Sequence, residues 1–143
     1  VVSENNIKAS YTDEGSNVQV NNQTGYDITG IINNPNYEIK NKTKFVIYHT
    51  HTCESYTSSD NYNYEMTGNY RTTDLNYTVS RVGDELTKCL EGYGKTVVHD
   101  KTFHDYPAYN GSYGRSLTTM QKVLESNQDA EIAIDLHRDA VRK

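Results

Sequence analysis

Short apolar runs alternate with amphipathic segments along the C-terminal two thirds of the chain. The runs at 44–48, 96–99 and 131–136 are rich in β-branched residues and bounded by polar ones, as buried strands are. Between them, apolar residues recur at helical spacing over 75–90 and 116–126. The order strand, helix, strand, helix, strand predicts an α/β fold with a mostly parallel sheet flanked by helices.

The first predicted helix begins at Thr73 or Asp74, either of which can cap the free N–H groups of its first turn. Its apolar stripe consists of Leu75, Val79, Val82, Leu86 and Leu90. Gly92 and Gly94 end it. We expect Cys89, on this helix, to be buried, because free cysteines generally pack as small hydrophobes.

Residues 1–40 lack this sustained periodicity and form a predicted N-terminal appendage. Within it, 18–20 alternates like a short strand, and 27–32 is suited to one capped helical turn. The predicted α/β domain then occupies residues 41–143, and its long polar loop at 53–71 is of the kind that shapes binding grooves.

Composition narrows the classes of partner. The chain has 143 residues, a net charge of −5 and no cluster of Lys or Arg, which argues against nucleic-acid binding. It has no apolar run long enough to span a bilayer, so a membrane anchor is absent from this sequence. Its 13 tyrosines and its many Asn, Ser and Thr residues are typical of a surface that faces water or carbohydrate.

Metal-binding side chains follow two of the predicted strands. His51 and Glu54 come just after the first strand, and His137 ends the third. Ligands of parallel sheets bind beyond the carboxyl ends of the strands. A catalytic zinc commonly takes two imidazoles and one carboxylate and leaves a position for water. The sequence therefore predicts a zinc site formed by His51, Glu54 and His137.

His49 is the competing ligand, because strand alternation would place it on the same side as His51 if the strand continued through both. We favour His51, since only it has Glu54 three positions on, and we assign His49 a supporting or substrate-contacting role. Cys53 lies inside the cluster and is a thiolate ligand, a nucleophile or a bystander. His99 and His104 lack a comparable setting and are expected to be structural.

Three further charged residues are candidates for positioning or substrate binding. Arg138 and Asp139 follow His137 and are suited to orienting it or holding substrate carboxylates, although an ordinary ion pair is an equal alternative. Arg115, near the start of the second predicted helix, is a candidate for binding an anionic substrate group.

Two segments carry a resemblance to a known family. Tyr-His-Thr-His-Thr-Cys-Glu-Ser-Tyr at 48–56 and Ile-Asp-Leu-His-Arg-Asp-Ala at 134–140 resemble the signature segments of the stage II sporulation protein P family of peptidoglycan hydrolases. The segments 99–102 and 109–113 are also similar to that family, so the resemblance covers about residues 30–143.

The resemblance implies a fold like that of zinc-dependent N-acetylmuramoyl-L-alanine amidases and zinc carboxypeptidases. It implies cleavage of the amide between N-acetylmuramic acid and L-alanine, links members to the cutting of peptide cross-links, and implies a lytic transglycosylase partner. The implied setting is septal wall degradation during engulfment in a spore-forming bacterium. Members are membrane-anchored and extracytoplasmic, in the space between the mother-cell and forespore membranes.

The same resemblance raises a difficulty about the general base. In the related amidases this base is a glutamate beyond the third zinc ligand, whereas the sequence ends at Lys143 without a matching segment. Residues 41–143 are therefore expected to be the N-terminal part of a catalytic domain, inactive alone. A non-catalytic wall-binding module and a different zinc hydrolase are the alternatives.

Overall fold

The computed structural model describes residues 11–13, 18–20, 22, 25–30 and 39–139, and the chain divides into units at 1–38 and 39–143. In the first unit, β1 (Tyr11–Asp13) pairs antiparallel with β2 (Val18–Val20), which confirms the short strand predicted at 18–20. The amide of Thr29 donates to Asp27 Oδ1 at 3.0 Å, as a capped turn requires. Residues 31 and 32 of the predicted turn lie outside the described residues.

The second unit has the predicted alternation of strands and helices. Its elements are β3 (Lys44–Tyr48), a 3-10 helix (Leu75–Tyr77), α1 (Val79–Gly92), β4 (Thr96–His99), α2 (Ser112–Ser126) and β5 (Ala130–Asp135). This confirms the α/β fold class. The three predicted strands are present within one residue at each end.

The sheet of the second unit has the order β4-β3-β5, with both pairs parallel. The chain therefore leaves β3 towards one side to form β4 and later crosses to the other side to form β5. This reversal creates a crevice at the carboxyl ends of β3 and β5. Tyr48 pairs with Asp135 at the ends of these strands, so the residues that follow both strands meet at the crevice.

The central position of β3 explains its composition. Phe45, Val46 and Ile47 are all buried, because the strand has neighbours on both edges. On the edge strand β5, by contrast, Glu131 and Ala133 are exposed and alternate with half-buried residues.

The first predicted helix is broken into two pieces. Asp74 caps the 3-10 helix, but Thr78 is extended (φ −103°, ψ 174°) and its hydroxyl caps α1 by accepting from the Ser80 amide. Backbone from the preceding loop causes the break: the Val79 amide donates to the Glu54 carbonyl at 2.8 Å. A tertiary hydrogen bond thus replaces the helical one at this point.

The fully buried residues of α1 include one member of the predicted stripe, Val79, and two smaller residues. Val79, Ser80 and Gly83 are its buried residues, whereas Val82 is 41% exposed. The prediction that Cys89 is buried is wrong, since it is exposed. The helix approaches the sheet where its side chains are smallest, and this rotation turns Cys89 towards solvent.

Helix α2 begins at Ser112, four residues before the predicted start. Gly111 precedes it with φ of 83°, a left-handed conformation that glycine adopts without strain. The buried Ser116 hydroxyl lies 2.9 Å from the Thr50 hydroxyl, which ties α2 to the chain just after β3.

Candidate metal centre

The chain turns sharply after β3 and so places His51 beside Glu54. The Glu54 amide donates to the His51 carbonyl at 3.1 Å, and the Ser55 amide donates to Tyr70 at 2.9 Å. Because β3 ends at Tyr48, the interpretation that a continuing strand places His49 and His51 on one side is wrong.

The structure brings His51, Glu54 and His137 together. The rings of His51 and His137 have centroids 5.4 Å apart, and Glu54 Oε2 lies 3.7 Å from His137 Nδ1. Zinc bonds to N and O ligands measure about 2.0–2.2 Å, so two ligands of one ion lie within about 4.4 Å of each other. The separation of the Glu54 and His137 atoms fits this limit.

His137 is held in one orientation by Asp135. The Nε2 atom of His137 lies 3.0 Å from Asp135 Oδ2, which directs Nδ1 towards Glu54. Asp135 also accepts from the amide and hydroxyl of Thr50 at 2.9 and 2.7 Å. Burial alone would raise the pKa of Asp135, but these hydrogen bonds and the His137 contact outweigh it and lower the pKa. Carboxylates commonly fix metal-binding histidines in this way.

Asp135 is absent from the set predicted from the sequence, although a signal was available. It lies two residues before His137, close enough along the chain for its carboxylate to reach the imidazole. A carboxylate at that spacing predicts an orienting partner for the imidazole.

His51 is buried and has an unsatisfied nitrogen. Its ring stacks on Tyr109 at 4.7 Å, with Nε2 3.4 Å from the Tyr109 hydroxyl. Its Nδ1 is buried without a hydrogen-bond partner, 3.9 Å from Asp105 Oδ2. Burial lowers the pKa of His51 even though Glu54 and Asp105 act in the opposite direction. The imidazole is therefore neutral at pH 7, the form that binds metals.

A buried ion pair supports the His51 side of the site. Asp105 accepts from the Cys53 amide at 3.1 Å and from Arg71 Nη2 at 2.6 Å. The Arg71 guanidinium lies 5.0 Å from the Tyr109 ring centroid, so it contacts the aromatic ring that packs on His51. Sequence reasoning missed Asp105 and Tyr109, because both lie in a loop without periodicity.

Arg138 contacts Glu54 through its backbone. Its amide lies 3.3 Å from Glu54 Oε2, and Nη1 donates to the Asp139 carbonyl at 3.2 Å. The guanidinium lies 6.0 Å from the Tyr70 ring. The predicted roles of Arg138 and Asp139 in binding substrate stay predictions.

His49 is fully buried and supports the strand that carries His137. Its Nδ1 donates to the Leu136 carbonyl at 2.8 Å, and its Nε2 lies 2.8 Å from His99 Nε2. Burial lowers the pKa of His49. These contacts suit the supporting role that the sequence suggested for His49, although substrate contact is untested.

The remaining histidines hold backbone or carboxylate groups. His99 Nδ1 lies 3.1 Å from Asp84 Oδ1. The buried His104 donates from Nδ1 to the His49 carbonyl at 2.8 Å, and its Nε2 lies 2.9 Å from the Thr119 hydroxyl. Both therefore stabilise the segment just after β3.

Cys53 is buried, and burial raises the pKa of its thiol to about 12. The thiol is therefore protonated at neutral pH, whereas nucleophiles and metal ligands are thiolates. Of the three readings that the sequence left open, this environment disfavours the nucleophile.

Arg115 directs its guanidinium at the backbone of the loop before α2. Nε donates to the His104 carbonyl at 2.6 Å, Nη1 to Asn110 at 3.2 Å, and Nη2 to the Ala108 carbonyl. These bonds fix the loop that carries Tyr109. A role in binding an anionic substrate stays a prediction.

The three candidate ligands are neighbours rather than a finished coordination shell. Among the described residues, no three His, Cys, Asp or Glu side chains already surround a common point. The unsatisfied nitrogen of His51 and the donor set of two imidazoles and a carboxylate nevertheless fit zinc. Zinc, its ligand set and the general base beyond Lys143 stay predictions.

Comparison with known proteins gives one match. The model of the stage II sporulation protein P family matches residues 2–143. Neither the curated proteins nor the solved structures contain a match to this chain. In the part of the chain that the structure describes, no helix has the length and apolar character needed to cross a bilayer.

Proposed function

Because the chain belongs to the stage II sporulation protein P family, we propose that it is a zinc-dependent N-acetylmuramoyl-L-alanine amidase. The family gives it a sporulation-related role in degrading the cell wall. The proposal adds the bond, which is the amide between N-acetylmuramic acid and L-alanine, and the metal. Cleavage of cross-links, a lytic transglycosylase partner and an extracytoplasmic location stay predictions.

One observation carries this proposal. Glu54 Oε2 and His137 Nδ1 follow different strands, yet they lie 3.7 Å apart at the crevice where the strand order reverses. The ring of His51 lies beside that of His137. Two imidazoles and a carboxylate at such a crevice match the donor set of zinc hydrolases.

Each residue of the site has a definite task in this proposal. Asp135 fixes the His137 ring so that Nδ1 faces Glu54, and the Arg138 amide holds the Glu54 carboxylate. Burial keeps His51 neutral and ready to bind a metal. When bound, zinc would polarise the scissile carbonyl and lower the pKa of a water to about 7. A base must also take a proton from that water, and the resemblance to the related amidases implies a glutamate beyond the third zinc ligand.

Metal analysis with a matched pair of variants tests the ligand set. Glu54→Gln removes a proposed ligand, whereas Glu65→Gln makes the same chemical change at an exposed position in the same loop. We expect one zinc per chain in wild type and in Glu65→Gln, and loss of zinc in Glu54→Gln and His137→Gln. Unchanged zinc content in both of the last two variants would refute the ligand set.

Digestion of purified peptidoglycan tests the bond. The assay uses the full-length natural protein and mass spectrometry of the released fragments. We expect free peptides that begin with L-alanine, together with glycan strands that have lost their peptides. New reducing sugar ends or shortened peptides, without any free L-alanine terminus, would show that a different bond is cleaved.

A further inference from the structure

Two adjoining hollows lie along the loop that follows Glu54. The first, of about 290 Å³, is lined by Tyr56, Tyr62, Tyr64 and Tyr77 together with small polar residues. The second, of about 430 Å³, is lined by residues that include Met66 and Tyr70. Thr57 and Tyr64 line both hollows, so the two adjoin, and together they are here called the aromatic groove.

The aromatic groove is held in place by internal contacts. Tyr64 accepts from the Ser55 hydroxyl at 2.8 Å and donates to the Tyr56 carbonyl at 2.6 Å. Its ring lies 5.7 Å from that of Tyr77. Tyr56 and Tyr62 remain 50% and 68% exposed, so these two rings are accessible to a ligand. Because these side chains are already held in place, little conformational entropy is lost when a ligand binds to them.

The second hollow lies near Arg138, a residue that contacts the candidate metal centre. Tyr70, in the second hollow, lies 6.0 Å from the guanidinium of Arg138, whose amide contacts Glu54. Ser55, which holds Tyr64, is the residue directly after Glu54. A ligand longer than one hollow would therefore extend towards the proposed site of cleavage.

The charges of the lining distinguish between the two parts of peptidoglycan. Among the described residues, Arg81 is the one ionic side chain that lines either hollow, and its Nη2 is paired with Glu85 Oε1 at 2.5 Å. The stem peptides carry free carboxylates, which such a lining would not balance. The glycan offers uncharged N-acetylhexosamine rings, whose C–H faces complement the negative face of a tyrosine ring. The amide of Asn76 and the hydroxyls of Thr57 and Ser59 suit its polar edges.

We propose that the aromatic groove binds the glycan strand of peptidoglycan, with sugar rings stacked on Tyr56 and Tyr62. This inference rests on the proposed function, because it takes the glycan to be part of the substrate. The groove then holds the strand while the peptide branch reaches the candidate metal centre. Its two hollows suit a polymer of several rings better than a single sugar.

Calorimetric titration of the protein with N-acetylchitotetraose tests the inference. This probe has the uncharged N-acetylhexosamine rings but no peptide, so its binding needs no cleavage. We expect binding by the wild type and about tenfold weaker binding by Tyr62→Ala, the loss expected for one aromatic contact. Tyr62→Phe keeps the ring and is expected to retain affinity. Tyr93→Ala removes a tyrosine that lies outside the groove and is 79% exposed, against 68% for Tyr62, and this variant is expected to match the wild type.

The inference would be overturned by a lack of oligosaccharide binding in the wild type, or by equal affinity in Tyr62→Ala and Tyr93→Ala. Displacement of the oligosaccharide by a free stem peptide would also overturn it, because the peptide would then be the occupant. Glu54→Gln separates this inference from the proposed function, since it is expected to lose zinc and keep oligosaccharide binding. Amide cleavage without oligosaccharide binding in the groove would refute this inference and leave the proposed function unaffected.

Discussion

Gly83 is the position where a single methyl group is expected to change the stability of the fold. It lies in α1, facing the buried imidazoles of His49 and His99. A Cβ at this position would lie 2.5 Å from His99 Nε2 and 3.2 Å from His49 Nε2. Carbon contacts are favourable at about 3.5–4.0 Å, so either the helix or the imidazole pair must move.

The expected cost of Gly83→Ala follows from opposing terms. Overpacking costs about 1–3 kcal/mol, and weakening of the 2.8 Å contact between His49 and His99 adds about 1 kcal/mol. The higher helix propensity of alanine stabilises α1 by about 1 kcal/mol and offsets part of this cost. We expect a net loss of roughly 1–3 kcal/mol in the free energy of unfolding. At an m-value of about 2 kcal/mol per molar urea, the midpoint falls by about 1 M.

Urea unfolding followed by far-ultraviolet circular dichroism measures this change. Gly114→Ala is the matched control, because Gly114 lies in α2 and a Cβ there meets no atom within 4 Å. We expect the control to gain about 0.5–1 kcal/mol from helix propensity alone. The two identical substitutions should therefore have opposite signs. A midpoint for Gly83→Ala at or above that of the wild type would refute the packing argument.

Three further predictions concern buried groups. At pH 9, iodoacetamide should alkylate the exposed Cys89 and not Cys53, whose pKa is raised to about 12 by burial, and rapid labelling of both in the native protein would contradict this. Asp135→Asn should weaken zinc binding about 10–100-fold in competition with a chelator, and unchanged affinity would show that the carboxylate does not orient its histidine. Arg71→Ala leaves the fully buried Asp105 carboxylate without its ion pair and should lower the free energy of unfolding in urea by about 3 kcal/mol. Arg81→Ala removes an exposed ion pair and should lower it by under about 1 kcal/mol, and equal losses would contradict the role of burial.

The strands were predictable from the sequence because each is specified by the residues within its own short segment. Three dense β-branched runs indicate buried strands, and their alternation with helices indicates a parallel sheet. The meeting of His51, Glu54 and His137 followed from the rule that parallel strands share one carboxyl edge.

What the sequence did not predict depends on contacts between distant segments. The break at Thr78 arises from a hydrogen bond to the Glu54 carbonyl, which helical periodicity does not encode. The exposure of Cys89 follows from the close approach of Gly83 to two imidazoles, so small size outweighed the apolar stripe. Asp105 lies in an irregular loop, and only the folded chain shows that it contacts Cys53 and Arg71.

The central position of β3 has a consequence for synthesis. Among the described strands of its sheet, β3 is the first to leave the ribosome, yet one of its two edges stays unpaired until β5 has been made. His51 and Glu54 therefore emerge long before His137 joins them. Metal binding through all three residues would report that β5 has docked, and a nascent chain that ends before β5 would expose an apolar edge prone to mispairing.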